Sequence, residues 1–287
     1  MEIYLEQNAL TVRQGDKVLL RHSAAEPMLY LGRGEPEIDM YRGNFRIEDY
    51  VTERVPLRRF TVTEPGSLVF EDALRVDLIL DADTLELRLT PLDESVNRLW
   101  LRLPAEKDEH CWGCGEQMSY FDLRSRHFPL WTSEPGVGRD KSTYVTWRSD
   151  VENWAGGDYF NTNFPLPLYI SSRHYWLWAD CTAYADFDFR HEDFHELQFW
   201  AAPKRIRIQT GASVLDAVRQ VGGFFGSQPE LPDWVYAGAV LGLQGGTQRV
   251  KDLVTRARAH GVAVFGVWCQ DWEGRRVTSF GKRLQWD

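Results

Sequence analysis

Between residues 76 and 103 the apolar residues fall on every second position, a spacing that only half-buried β-strands satisfy. Val76, Leu78 and Leu80 alternate with polar neighbours, a polar turn covers 81–84, and Leu85, Leu87 and Leu89 resume the rhythm before Leu99, Leu101 and Leu103 repeat it. That is a hairpin followed by a third strand. The period-two pattern, broken by Gly, Pro and Asp turns, extends from residue 1 to about 210 and predicts an antiparallel β-sandwich.

One stretch departs from this rhythm. Residues 111–164 are rich in glycine, aromatics and charge with little periodicity. They read as long ordered loops, the part of the sandwich best suited to reach into a site. After residue 210 a helix is expected, with Ser213 as N-cap and Leu215, Val218 and Val221 on one face.

The linker SQPELPDW follows, and its Pro229 and Pro232 mark a boundary between a sandwich domain at 1–228 and a second region at 229–287. There AGAVLGLQGG reads as a strand buried on both faces. A helix comes next, with Thr247 as cap, Val250, Leu253, Val254 and Ala257 on one face and Gly261 at its C′ position. VAVFGVW supplies a second strand. Strand, helix, strand at this length is one βαβ unit, which needs further repeats or another surface to cover its open edges. The last residues, SFGKRLQWD, hold neither a helix stop nor a polar tail. The region therefore reads as the opening of a truncated (β/α)₈ barrel, poorly packed from about residue 231.

The acidic balance, 42 Asp and Glu against 33 Lys and Arg for a net charge of −9, argues against nucleic acid or an anionic membrane as partner. No run approaches the roughly 20 apolar residues of a membrane span. The start of the chain lacks a signal-peptide pattern, so a cytoplasmic protein is expected. Four cysteines, two of them in CWGC at 111–114, imply no disulfide framework. Twelve tryptophans are compatible with sugar stacking, although most large aromatics serve packing.

Several motifs bear on chemistry. HEDFH at 191–195 has the form of the H-E-x-x-H zinc signature, but it sits in strand rhythm rather than on a helix and has no third ligand. CWGC lacks the second CxxC of a zinc site, and QGGT lacks the lysine of a phosphate loop. No metal or cofactor is expected. Gln244 and Gln270 lie at the C-terminal ends of the two strands of the βαβ unit, where barrel active sites form, or they cap loops. Arg283 and Trp286 follow the second strand. They can hold an anion through guanidinium and indole N–H, or pack as ordinary surface residues.

The passage GCGEQMSYFDLRSRHFPLWTSEPGVGR, with ELPDW, LGLQGGT, GVWCQDW and SFGKR downstream, resembles glycoside hydrolase family 31 from residue 113 to the end of the chain. The resemblance is to its sulfoquinovosidase branch. It implies a galactose-mutarotase-like sandwich, followed by a (β/α)₈ barrel, that hydrolyses α-sulfoquinovosides such as sulfoquinovosyl glycerol with retention. An aspartate nucleophile and an aspartate acid/base would do this, both on later strands, so no catalytic residue is assigned here and Asp271 and Glu116 are not promoted to that role.

It further implies that Gln244, Gln270, Arg283 and Trp286 recognise the sulfonated sugar, a small-molecule partner, while a fifth residue, a tyrosine, would fall beyond Asp287. The chain as given is then expected to be inactive. Two other readings stay open: a family member acting on neutral glucosides or xylosides, and a non-catalytic carbohydrate-binding sandwich.

Overall fold

The computed structural model describes residues 1–41, 44–269, 277–278 and 281–282, which fall into two compact units, Met1–Phe225 and Gly226–Asp287. In the first unit β1 (Glu2–Glu6), β2 (Ala9–Gln14) and β3 (Lys17–His22) form a small antiparallel sheet. Two 13-residue strands, β4 (Leu29–Tyr41) and β5 (Asn44–Pro56), pair as a long ribbon. Four shorter strands follow, β6 (Phe60–Glu64), β7 (Ser67–Phe70), β8 (Leu74–Asp81) and β9 (Thr84–Pro91). The predicted hairpin is β8–β9, in which Leu78 faces Leu87 and Val76 faces Leu89.

The third strand of that rhythm is β10 (Arg98–Pro104), but it lies in the opposite sheet, between β4 and a later strand. Within 111–164 the structure forms β11 (Cys111–Gly115), β12 (His127–Leu130) and the helix α1 (Tyr144–Asn153), where the sequence reads as loops. The physical reason is local. In β11 the pairing register shifts between Gly113 and Gly115, and Gly113, Cys114 and Gly115 all take positive φ, which breaks the alternation. β12 is four residues long, and α1 buries only Thr146.

The unit is completed by β13 (Pro165–Ser171), β14 (Tyr175–Ala179), β15 (Ala185–Asp188), β16 (Phe194–Phe199), β17 (Arg205–Thr210) and the helix α2 (Val214–Phe225). Sheet order is β12-β15-β16-β10-β4-β5 in one layer and β11-β13-β14-β17-β9-β8-β7-β6 in the other. Their inward residues, among them Leu101, Phe128, Phe187 and Leu197 from the first and Leu85, Leu87, Leu177 and Ile208 from the second, form one buried cluster. This is a β-sandwich.

Helix α2 starts as expected, with the Asp216 N–H donating to Ser213 Oγ at 3.1 Å. Its buried face differs from the expectation. Ala217 is fully buried against Leu168 and Trp176, with Val221 packed beside it, whereas Leu215 and Val218 are exposed. The small alanine lets the helix approach the bulky indole, and packing against that ring outweighs the larger but displaced leucine and valine.

The second unit contains β18 (Ala239–Leu243), α3 (Thr247–Ala259) and β19 (Val264–Cys269), with the two strands parallel. It is the βαβ arrangement read from the sequence. Thr247 is the first helical residue rather than the cap, which is Gly246. The other end is as predicted: Gly261 takes φ +78°, its N–H reaches Arg258 O, and the Val262 N–H reaches Ala257 O, a Schellman closure. None of β18 is buried, against the expectation of a strand covered on both faces, and α3 buries no residue. A two-stranded sheet has too little surface to cover either.

Candidate functional site

The four residues read as a sulfonate site belong to the second unit. Leu243 and Cys269 are register partners in the parallel pair, and Gln244 follows Leu243 at the C-terminal end of β18. Gln244 is exposed at the head of a turn in which Gly245 and Gly246 take φ of +114° and +89°. The φ of +114° at Gly245 is one that side chains rarely adopt, so the turn into α3 favours glycine there on backbone grounds. Gln270 follows Cys269 in the chain. Gln270, Arg283 and Trp286 lie outside the described residues, so the geometry places only Gln244.

In the first unit the two histidines of HEDFH diverge. His191 is partly exposed and stacks on Phe194 with ring centroids 4.1 Å apart, while His195 is fully buried on β16. They do not share a face. His195 instead lies beside Cys111 of the CWGC run, with Sγ to Nε2 at 3.6 Å, and Glu109, with Oε1 to Nε2 at 3.3 Å. The sequence reading missed this grouping, because Glu109 is 86 positions from His195 and no motif links them.

Among the described residues these three are the group whose donors come close enough to hold a metal. The carboxylate is already engaged. Glu109 Oε1 accepts from Ser171 Oγ and from the Tyr175 hydroxyl at 3.0 Å as well as facing His195, while Oε2 accepts the Glu106 N–H at 3.1 Å. With its carboxylate already engaged, the donor set fits a buried polar network in the sandwich core better than a cation site, and His195 Nδ1 is left without a hydrogen-bond partner there. Burial pushes the Glu109 carboxyl up, but His195, Ser171 and the Glu106 N–H outweigh it and hold the group at about 2. Burial raises the Cys111 and Cys114 thiols well above their usual range, and both are free and buried, which suits packing rather than redox chemistry.

A cleft of about 580 Å³ opens elsewhere in this unit. Its floor is the outward side of β12 and β15, carrying His127 and Asp186, with Tyr184 just before β15, and its walls are the β4–β5 ribbon and the 131–161 segment. The His127 Nδ1 lies 3.0 Å from Asp186 Oδ2, and that hydrogen bond raises the imidazole above its ordinary value. Sequence reasoning marked the 111–164 stretch as a site-former without naming these residues. They come from separate stretches, so no spacing rule connects them.

A sulfoquinovosidase of Agrobacterium fabrum is 51% identical over 290 residues, covering all of this chain and 43% of that protein. A solved family 31 sulfoquinovosidase from E. rectale, in complex with an aza-sugar inhibitor, superposes with a TM-score of 0.92 at 52% identity over the whole chain and 44% of its own. Along its whole length the chain is thus similar to part of a family 31 sulfoquinovosidase. The Escherichia coli sulfoquinovosidase is 41% identical, again over the whole chain and 43% of that protein. The chain thus spans less than half the length of the relatives it matches. A family 31 dextranase from Flavobacterium johnsoniae, at 13% identity and a TM-score of 0.50, shares the fold alone. No protein-family model matches the chain. The sandwich and the barrel opening read from the sequence agree with these family 31 relatives. Among the described residues no helix is long and apolar enough to cross a membrane.

Proposed function

We propose that this chain carries the sandwich and the sulfonate-recognising barrel opening of a retaining α-glycosidase that hydrolyses α-sulfoquinovosides, sulfoquinovosyl glycerol among them. The observation that carries the reading is the 51% identity to a sulfoquinovosidase along the whole chain. Arg283 stays charged at any physiological pH and binds the sulfonate, a permanent anion, while the Trp286 indole donates to one of its oxygens. Gln244 and Gln270, each offering donor and acceptor, bind sugar hydroxyls. The location of Gln244 immediately after β18 supports this, since ligands gather at the C-terminal ends of parallel strands.

No carboxylate in these 287 residues is assigned to catalysis. The chain alone is expected to leave a chromogenic α-sulfoquinovoside intact, and the same chain extended to the full length of its relatives is expected to cleave it. Hydrolysis by the short chain would overturn the placement of the catalytic carboxylates. The proposal includes a cytoplasmic location, a small sulfonated glycoside as partner and no metal or cofactor. A neutral-glycoside specificity is disfavoured by Arg283 and Trp286, which would have no anion to meet.

A further inference from the structure

The cleft in the first unit combines two kinds of surface. Aromatic side chains supply one: Phe45 and Trp131 meet edge to face at 4.7 Å and 84°, making a corner, and Trp154 presents a ring that is 62% exposed. An exposed indole in a concave pocket offers a flat apolar face to a ligand with a flat C–H face of its own.

The second kind is carboxylate. Asp39, Asp150, Asp158 and Asp186 line the cleft against the cations Arg46 and Lys141, with His127 beside Asp186. The cations are committed: Arg46 pairs with Glu48, and Lys141 Nζ is 2.7 Å from Asp150 Oδ2, 2.9 Å from Gly156 O and 3.6 Å from Asp158 Oδ2. Burial raises the Asp158 carboxyl above its ordinary value, while its side chain stays 30% exposed to the cleft. Below it the Asp158 N–H donates to Asn161 Oδ1, and Asn161 Nδ2 donates to the buried Ser133 Oγ at 3.0 Å, which holds the loop in place.

We propose that this cleft binds a neutral polyhydroxylated ligand, a sugar or polyol, stacked on Trp154 and Trp131 with its hydroxyls donating to Asp158 and Asp186. An anionic ligand is disfavoured by the surplus of carboxylates. A volume of about 580 Å³ suits one or two sugar rings and falls in the range of small-molecule sites. The site uses residues of the first unit only, so it does not depend on the sulfonate reading, which rests on Arg283 and Trp286.

The test is an NMR titration of the whole chain with methyl α-glucoside and, separately, with glucose 6-phosphate, following the indole N–H signals of Trp131 and Trp154. The neutral glycoside is expected to shift both signals saturably, with a Kd on the order of 1 mM. The phosphorylated sugar is expected to bind at least about tenfold more weakly. Trp154→Ala and Asp158→Asn, read through Trp131, should each weaken the neutral ligand about tenfold or more, while Phe121→Ala, at a ring outside the cleft, leaves the affinity unchanged. Each variant is checked for retained chemical-shift dispersion before titration. The proposal is overturned if neither indole responds to the glycoside, if the two cleft variants bind as the parent does, or if the anion binds more tightly.

Discussion

Replacing Glu109 with glutamine perturbs the core where its polar network is densest. In the folded chain the carboxylate meets His195 Nε2 at 3.3 Å, the Tyr175 hydroxyl at 3.0 Å and Ser171 Oγ, all of them buried. Removing one partner of such a buried pair costs about 3–5 kcal/mol, because the remaining polar groups lose their compensation without regaining water. At about 2–4 °C per kcal/mol for a unit of this size, the melting temperature should fall by roughly 6–20 °C. Near-UV circular dichroism of the tryptophan-rich chain on heating would report it.

The effect carries a pH signature. The carboxyl is held at about 2 against an ordinary 4.5. Its contribution is therefore complete above about pH 4.5 and is lost as the pH falls through about 2. The gap between parent and Glu109→Gln should be widest near neutrality and narrow steadily below about pH 4.5. Glu152→Gln is the control: its carboxylate pairs with Arg148 at 2.8 Å with both side chains about half exposed, and its loss should cost no more than about 0.5 kcal/mol. A gap of under about 2 °C at pH 7, or one that does not change in acid, would refute the reasoning.

Other changes probe the fold. Gly115→Ala should destabilise by about 2 kcal/mol or more in a urea melt, because Gly115 takes φ +89° and a Cβ would lie 2.0 Å from Phe164 O. Ala217→Asp should be severely destabilising and Val218→Asp close to neutral, within about 0.5 kcal/mol, since the first is buried under Trp176 and the second is 48% exposed. The reverse ranking would restore the face read from the sequence. Ser213→Ala should cost about 1 kcal/mol through loss of the cap to the Asp216 N–H, measured by the same melt.

What could be read from the sequence was set by local rules. The β8–β9 hairpin, the Ser213 cap and the Gly261 closure each follow from a few neighbouring residues whose geometry admits one solution. The face of α2 depended instead on a tertiary contact, Ala217 under Trp176, which hydrophobicity ranking could not find because alanine scores below leucine and valine. β11 was hidden by its glycine bulge, and β12 by its length.

The same division holds for function. The position of Gln244 just after a strand was legible because the βαβ pattern is local, and its role belongs to the proposal. The Glu109–His195 network and the Trp154 cleft join residues from distant stretches, and only the fold brings them together.

The central claim, that this chain carries the sulfonate recognition of a sulfoquinovosidase, is tested most directly by replacing Arg283. In the chain extended to the full length of its relatives, kcat/KM of Arg283→Ala would be compared with that of the parent on matched α-sulfoquinovoside and α-glucoside substrates. Loss of a charged partner worth about 2–5 kcal/mol predicts at least about a 30-fold fall on the sulfonated substrate with the neutral one little changed. Equal losses on both would contradict the account.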